Sequence, residues 1–287
     1  MSEAPSKVMT LTDVIAQHVR DGQSVALEGF THLIPFAAGH EIIRQRRRNL
    51  HLIRMTPDLI YDQMIGMGCA SELTFSWGGN PGVGSLHRLR DAVEKEWPQP
   101  LTIHEHSHAE MAVAYTAGAS GMPCGLMRRH TDTDLTKASS ARIKAIECPF
   151  TGDSLAAVLA INPDVTILHA QKVDAEGNVL IRGIVGAAKE AAMAARCLIV
   201  TVEEQVERLN ADMNAIVLPR FLVTAVAVVP GGAYPSYAQG YYSRDNSFYI
   251  GWDDIARDQT VFLDWMEKHV LALRDHAEFL RVLKVSA

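Results

Sequence analysis

The chain has 287 residues, of which 48% are hydrophobic and 21% charged, a balance that is typical of a globular protein with a large buried core. Its net charge of -6 disfavours a nucleic-acid partner, because binding phosphates requires lysines and arginines clustered on one face. No apolar run is long enough to span a bilayer, and the N-terminus has no signal-peptide core, so we expect a cytoplasmic protein without a membrane partner.

Apolar runs that are typical of buried strands alternate along the chain with stretches of helical spacing. The predicted strands cover residues 24–30, 50–55, 73–77, 101–104, 165–170, 197–202 and 221–229. This alternation predicts an α/β fold with an open, mostly parallel sheet and helices on both faces. Turn residues at 174–178 predict a hairpin at a sheet edge, and residues 250–283 have helical spacing. No linker or repeat is evident, so residues 1–287 are predicted to form a single domain.

A carboxylate and three imidazoles lie at the end of one predicted strand, in the run His104-Glu105-His106-Ser107-His108. In α/β proteins, ligands bind outside the carboxyl ends of the strands. We therefore predict that Glu105 is a catalytic base in a desolvated pocket and that His104 and His106 contact the substrate. The alternative is that Glu105 caps the helix that follows. Imidazoles along one strand rarely complete a tetrahedral site without a distant ligand, so no metal is predicted.

Two further segments follow predicted strands and are candidates for substrate contact. The first is a glycine-rich loop, in which Gly78, Gly79 and Asn80 would form either a ligand loop or a plain tight turn. This loop lacks the spacing of a phosphate-binding or dinucleotide-binding motif. The second segment follows the first strand, where Glu28 and His32 would face the same cleft.

The chain also lacks the nucleophile elbow of a serine hydrolase, so this class of enzyme is not predicted.

Several blocks of the sequence, taken in order, resemble the α subunit of class I CoA-transferases of the glutaconate type. These blocks are Glu28-Gly29-Phe30, residues 105–111, 118–123, 148–152, 161–165, 169–171, 175–179, 200–204 and 235–242. The resemblance implies a class I CoA-transferase-like fold and a β subunit of related fold, with the active site at the interface. It also implies an α2β2 heterotetramer, an acyl-CoA substrate, no cofactor other than the CoA of the substrate, and a nucleophilic glutamate on the β subunit.

Within this family, the histidine-rich run and the tyrosine-rich block are most similar to an offshoot of CoA-dependent hydrolases that open the last steroid ring in cholesterol breakdown. This similarity implies that water adds to a cyclic β-oxo acyl-CoA and that retro-Claisen cleavage follows, with Glu105 as the base. His104, His106 or His32 would then orient the water or hold the oxyanion. Two alternatives stay open: a CoA-transferase subunit, and a non-catalytic subunit that binds acyl-CoA or stabilises its partner.

Overall fold

The computed structural model describes residues 7–128 and 141–285. The strands of this part of the chain are β1 (Ser24–Leu27), β2 (Leu50–Ile53), β3 (Ala70–Phe75), β4 (Thr102–Glu105), β5 (Cys124–Arg128), β6 (Ile143–Glu147), β7 (Ser154–Leu159), β8 (Val165–Val173), β9 (Val179–Ile181), β10 (Cys197–Gln205), β11 (Ile216–Leu218) and β12 (Ala225–Val228). The helices are α1 (Leu11–His18), α2 (Phe36–Arg44), α3 (Leu59–Gly66), α4 (His87–Glu94), α5 (His108–Ala119), α6 (Ala188–Ala194), α7 (Asn246–Arg257), α8 (Gln259–Met266) and α9 (His276–Val282), with a π-helical segment at Glu267–Leu271.

A nine-stranded sheet forms the centre of the fold. Its parallel part has the strand order β12-β10-β8-β1-β2-β3-β4. The strands β9 and β11 extend it through antiparallel pairs, and the β8-β9 hairpin confirms the turn predicted at residues 174–178. Strands β2, β3 and β4 are added in turn on one side of β1, whereas β8, β10 and β12 are added in turn on its other side. The point of reversal lies between β1 and β8, where open α/β sheets bind ligands.

Both faces of this sheet are covered, which confirms the predicted fold class. Alternate residues of a strand point to opposite faces. In β1, Val25 and Leu27 join a core formed with α1 to α4, α7 and α8, whereas Ala26 joins a second core with α5 and α6. The long parallel strands are buried on both sides, which explains why their sequences are continuously apolar.

A second, three-stranded antiparallel sheet with the order β5-β7-β6 was not predicted from the sequence. Its strands are largely exposed on one side, and β6 has a single buried residue, Ile143. Such a strand lacks the apolar run that marks the central strands, so its pattern is typical of a loop. The strand predicted at residues 221–229 was also wrong in extent, because residues 221–224 precede β12 as a loop. None of the described helices combines the length and apolar character needed to cross a membrane.

Candidate active site

A cavity of about 420 Å³ lies at the carboxyl ends of β1, β2 and β3, beside the start of α5. Segments from four different parts of the chain form its wall, because parallel strands end at the same edge of the sheet. The residues that line it are Phe30, Thr31, Arg54, Thr56, Asp58, Trp77, Pro81, Gly82 and His108. Pockets of about 300–1,000 Å³ at such sheet edges are typical small-molecule sites, so this cavity is the candidate active site.

A buried ion pair supports the wall of the cavity directly after β2. Arg54 is fully buried, and its Nη1 donates to Asp58 Oδ1 at 2.9 Å. Its Nη2 donates to the backbone oxygen of Gly29 at 2.7 Å, which ties the end of β2 to the loop that follows β1. The guanidinium therefore holds two cavity-lining segments together, and its charge is largely compensated by Asp58.

The loop after β1 has an unusual backbone. Thr31 and Leu33 have φ angles of 58° and 53°, a region that residues with large side chains rarely adopt. The Thr31 carbonyl accepts a hydrogen bond from Ser236 Oγ at 2.9 Å, and the Leu33 amide donates to the Tyr237 carbonyl at 2.9 Å. Within the described residues, the amides of Phe30 and Thr31 have no acceptor. Donors held in this way at a cavity wall can stabilise negative charge on a bound ligand.

Glu28 lies directly behind this loop, and its side chain is buried. Its Oε1 accepts hydrogen bonds from Tyr115 Oη at 2.8 Å and from the Met55 amide at 3.1 Å. Burial raises the pKa of the Glu28 carboxyl, an effect that the positive charge of Arg54 opposes. Glu28 does not line the 420 Å³ cavity but a separate void of about 10 Å³. Its predicted contact with substrate therefore stays a prediction, and its observed contacts join β1 to β2 and α5.

His32 lines the same small void and is fully buried. Its Nδ1 donates to the Ile184 carbonyl at 3.1 Å, and its Nε2 accepts from the Gln239 amide at 3.0 Å. This pair of bonds requires the neutral ring with the proton on Nδ1. Because both ring nitrogens are hydrogen-bonded inside the protein, His32 has the contacts of a structural residue. Its bond to Gln239 anchors the tyrosine-rich block, residues 235–242.

The tyrosine-rich block, residues 235–242, is a packed loop, and its Tyr242 contacts the buried carboxylate of Glu203. Glu203 at the end of β10 accepts hydrogen bonds from Tyr242 Oη at 2.6 Å and from the Gly231 amide at 2.7 Å. His169 on β8 lies 2.6 Å from the same carboxylate. These bonds outweigh the effect of burial and lower the pKa of Glu203, so its carboxylate is ionised at neutral pH.

The histidine-rich run lies at the end of β4, an edge strand of the main sheet, and its residues differ in how deeply they are buried. Glu105 is exposed, His104 is partly buried with its Nε2 3.0 Å from Glu72 Oε2, and His106 is buried. The cap of α5 is Ser107, whose side chain accepts from the Glu110 amide while Glu110 binds the Ser107 amide in return. The alternative prediction, that Glu105 caps this helix, is therefore wrong. This chain alone does not bury Glu105, so the desolvated pocket expected around it is not formed within the described residues.

The glycine-rich loop that follows β3 does line the cavity, but the lining residues are not the ones that were predicted. Trp77, Pro81 and Gly82 line it, whereas Gly78, Gly79 and Asn80 do not. Asn80 is buried, and its Nδ2 donates to the Tyr249 carbonyl at 2.7 Å, which fastens the loop to α7. A side chain at position 79 would meet the Trp77 ring at 2.6 Å, so the glycine allows the indole to lie against the loop. Substrate contact by Gly78, Gly79 and Asn80 stays a prediction.

None of the nine lining residues was among the site residues predicted from the sequence. A signal was present for Arg54 and Asp58, because they lie at and shortly after the carboxyl end of the apolar run at residues 50–55. The rule that ligands bind at carboxyl ends of parallel strands applies equally to both positions.

A family model for coenzyme A transferases matches residues 8–228. The chain belongs to the coenzyme A transferase family. It is 59% identical over 274 residues to the A subunit of the 3-oxoadipate CoA-transferase of Pseudomonas knackmussii, a match that covers 96% of this chain and 97% of that protein. It is also 33% identical to the A subunit of the glutaconate CoA-transferase of Acidaminococcus fermentans, over 97% and 92% of the two chains. The crystal structure of that glutaconate enzyme superposes with a TM-score of 0.88 at 31% identity, over 97% of this chain and 93% of that one.

These relatives correct the reaction that the sequence analysis favoured. One subunit of the cholesterol ring-cleaving hydrolase of Rhodococcus jostii is only 21% identical over 94% of this chain. The much higher identity to the 3-oxoadipate CoA-transferase shows that the predicted ring-opening hydrolase is wrong. The prediction rested on two short segments, the histidine-rich run and the tyrosine-rich block, and short segments weigh less than identity across the whole chain. The alternative prediction of a transferase fits better.

Proposed function

We propose that this chain is the A subunit of a heteromeric CoA-transferase that moves CoA from an acyl-CoA to a 3-oxo dicarboxylic acid of the 3-oxoadipate type. The observation that carries the proposal is 59% identity to the corresponding subunit of a 3-oxoadipate CoA-transferase over nearly the full length of both chains.

The cavity suits the acyl part of such a substrate. Its volume of about 420 Å³ is sufficient for a short-chain acid, and Phe30, Trp77 and Pro81 provide an apolar wall. Phe30 and Thr31, whose backbone amides have no acceptor within the described residues, belong to the same wall. An acyl transfer passes through a tetrahedral species with negative charge on oxygen, and fixed backbone donors stabilise that charge more than they stabilise the ground state. In this proposal the chain binds the acyl group and supplies oxyanion donors.

The attacking carboxylate of this proposal belongs to a B subunit, as the family resemblance implies. That carboxylate attacks the thioester carbonyl and expels CoA as a thiolate. The thiolate then attacks the glutamyl carbonyl of the resulting anhydride, which releases the free acid and leaves CoA as a glutamyl thioester. The same steps in reverse order transfer CoA to the acceptor acid. The α2β2 composition stays a prediction.

Glu105 has a different place in this proposal from that of a hydrolytic base. It is exposed at the end of the edge strand β4, beside the start of α5, whose residue His108 lines the cavity. We assign it a contact with the partner or the substrate. His104 lies on the same strand and His106 directly follows it. Their predicted contact with the substrate is not needed by this mechanism.

The proposal is tested with the chain co-purified with its B subunit, an acyl-CoA donor and 3-oxoadipate as acceptor. We expect CoA transfer, and mass spectrometry after incubation with the donor alone should find a CoA adduct on a glutamate of the partner. Release of free CoA by water without transfer to the acid, or an adduct on Glu105, would overturn the proposal.

The role of the cavity is tested separately through Trp77, which is 45% exposed and lines the cavity. Replacing Trp77 with alanine should raise KM for the acceptor acid about tenfold, the loss of roughly 1.4 kcal/mol of apolar contact, with the unfolding midpoint unchanged. Val83→Ala is the matched control, because Val83 is exposed on the same loop but does not line the cavity. Equal KM values in both variants would place the acyl group elsewhere.

A further inference from the structure

Three side chains outside the cavity meet on one face of the main sheet. They come from neighbouring parallel strands: His51 from β2, Glu72 from β3 and His104 from β4. The register pairs His51 with Glu72, and Thr74, two residues further along β3, with His104. Because residues two apart on a strand share a face, this register directs all three side chains to the same side of the sheet.

The ligand atoms of these residues are close enough to share one metal ion. One nitrogen or oxygen of each residue lies within 4.8 Å of the corresponding atoms of the other two. In a tetrahedral zinc site with bonds of about 2.1 Å, ligand atoms are roughly 3.4 Å apart, so side-chain rotations bring these atoms into range. His104 Nε2 is already 3.0 Å from Glu72 Oε2, and His51 Nε2 is 2.8 Å from Thr74 Oγ1.

We propose that His51, Glu72 and His104 bind one divalent transition-metal ion of the zinc type. Two imidazoles and a carboxylate are a preferred zinc set, whereas magnesium and calcium select oxygen ligands. All three residues are partly exposed, so a water molecule can complete the tetrahedron. The bound ion clamps the edge strand β4 to β3 and β2. None of its ligands lines the cavity, so the site is separate from the proposed transferase chemistry.

No metal was predicted from the sequence, because imidazoles along a single strand rarely complete a tetrahedral site. The proposed set takes one ligand from each of three strands, and residues 51, 72 and 104 are distant along the chain. Strand order and register bring them together. Ligands on strands of a packed sheet are also held more rigidly than ligands on loops, which favours binding.

The other charged groups around this cluster determine how tightly the ion binds. Arg142 interacts electrostatically with Glu72 and with His51, and Asp164 with His51. The guanidinium of Arg142 repels a divalent cation and competes for Glu72, whereas Asp164 attracts the cation. Replacing Arg142 with glutamine should therefore tighten metal binding.

A matched control lies elsewhere on the surface. His87 Nε2 is 2.8 Å from Asp253 Oδ1, so this pair also joins an imidazole to a carboxylate, and the His87 imidazole is as exposed as that of His104. Within the described residues it belongs to no cluster of three metal-ligating side chains. His87→Gln removes an equivalent imidazole without touching the proposed site.

The experiment titrates the full chain, stripped with a chelator, with Zn²⁺ alone by calorimetry, and repeats the titration with Co²⁺ while recording its visible spectrum. We expect one ion per chain with tetrahedral cobalt absorption. His51→Gln, Glu72→Gln and His104→Gln should each weaken binding at least tenfold, His87→Gln should leave it unchanged, and Arg142→Gln should strengthen it. Circular dichroism of the metal-free variants checks folding.

A second readout separates a specific site from scattered surface binding. Saturating Zn²⁺ should raise the unfolding temperature of the wild type and of His87→Gln, and leave that of the three ligand variants unchanged. Wild-type binding no tighter than that of His51→Gln, or an equal loss of binding in His87→Gln, would overturn the proposal.

Discussion

At the scale of single residues, Arg54 and Asp58 combine support of the fold with a place at the candidate site. Both are buried, and Arg54 also binds the Gly29 carbonyl, which holds the left-handed turn at Thr31 next to the cavity. Their position near the carboxyl end of an apolar run was visible in the sequence. Their ion pair could not be predicted from the sequence. Residues four apart are neighbours by default only in a helix, and here the pairing depends on the conformation of the loop between β2 and α3.

Replacing Arg54 with alanine should lower the free energy of unfolding by about 3–5 kcal/mol, because it leaves the Asp58 carboxylate buried without its partner. The double variant Arg54→Met with Asp58→Leu removes both charges and should recover much of that loss. Urea unfolding followed by circular dichroism measures both changes. A loss below about 1 kcal/mol in the single variant would show that the pair adds little to stability.

At the scale of elements, α5 shows how one helix serves both packing and the site. Its first residue, His108, lines the cavity, and the reciprocal bonds between Ser107 and Glu110 define where it begins. Its last turn packs against the segment before β8 through Gly118. A β-carbon there would lie 2.1 Å from the Ile161 carbonyl oxygen, so only glycine allows this approach.

Gly118→Ala should therefore destabilise the protein by about 1–3 kcal/mol through overpacking. The matched control is Gly251→Ala in α7, where an added β-carbon meets nothing within 4 Å. That change should stabilise the protein by about 0.5–1 kcal/mol, because alanine has the higher helix propensity. Thermal unfolding of both variants measures the difference. Equal effects of the same sign would contradict the packing that we describe.

At the scale of the whole molecule, a buried histidine joins the C-terminal helices to the sheet. His276 at the start of α9 is buried, and its Nε2 donates to the Gly231 carbonyl at 2.8 Å. Gly231 in turn donates to Glu203 at the end of β10. Burial lowers the pKa of His276 from 6.5 to about 4, an effect that the bond to Gly231 opposes and that Arg44 and His169 strengthen.

This lowered pKa predicts a loss of stability in mild acid. The unfolded chain binds a proton on His276 below pH 6.5, whereas the folded protein resists it until about pH 4. The stabilisation is therefore complete above pH 6.5 and is lost as the pH falls toward 4. Between pH 7 and pH 5, His276 should contribute a decrease of about 2 kcal/mol in the free energy of unfolding.

Urea unfolding of the wild type and of His276→Gln at several pH values measures this contribution. The variant should be less stable at pH 7 but should lose correspondingly less stability on acidification. His40 is a second buried imidazole with a lowered pKa beside His276, so the wild-type slope exceeds the contribution of either residue. Parallel curves for wild type and variant would show that His276 does not titrate as described.

The sequence by itself determined the fold class, the positions of the main strands along the chain and the family. Strands buried on both faces need continuous apolar runs, and these are local features that can be read along the chain. The tertiary structure decided which strand ends meet and which side chains share a space. Strand order and register placed Arg54, Thr31 and Trp77 around one cavity, left Glu105 exposed at an edge, and brought His51, Glu72 and His104 together. Such neighbours lie far apart in the sequence, and no local pattern encodes their contact.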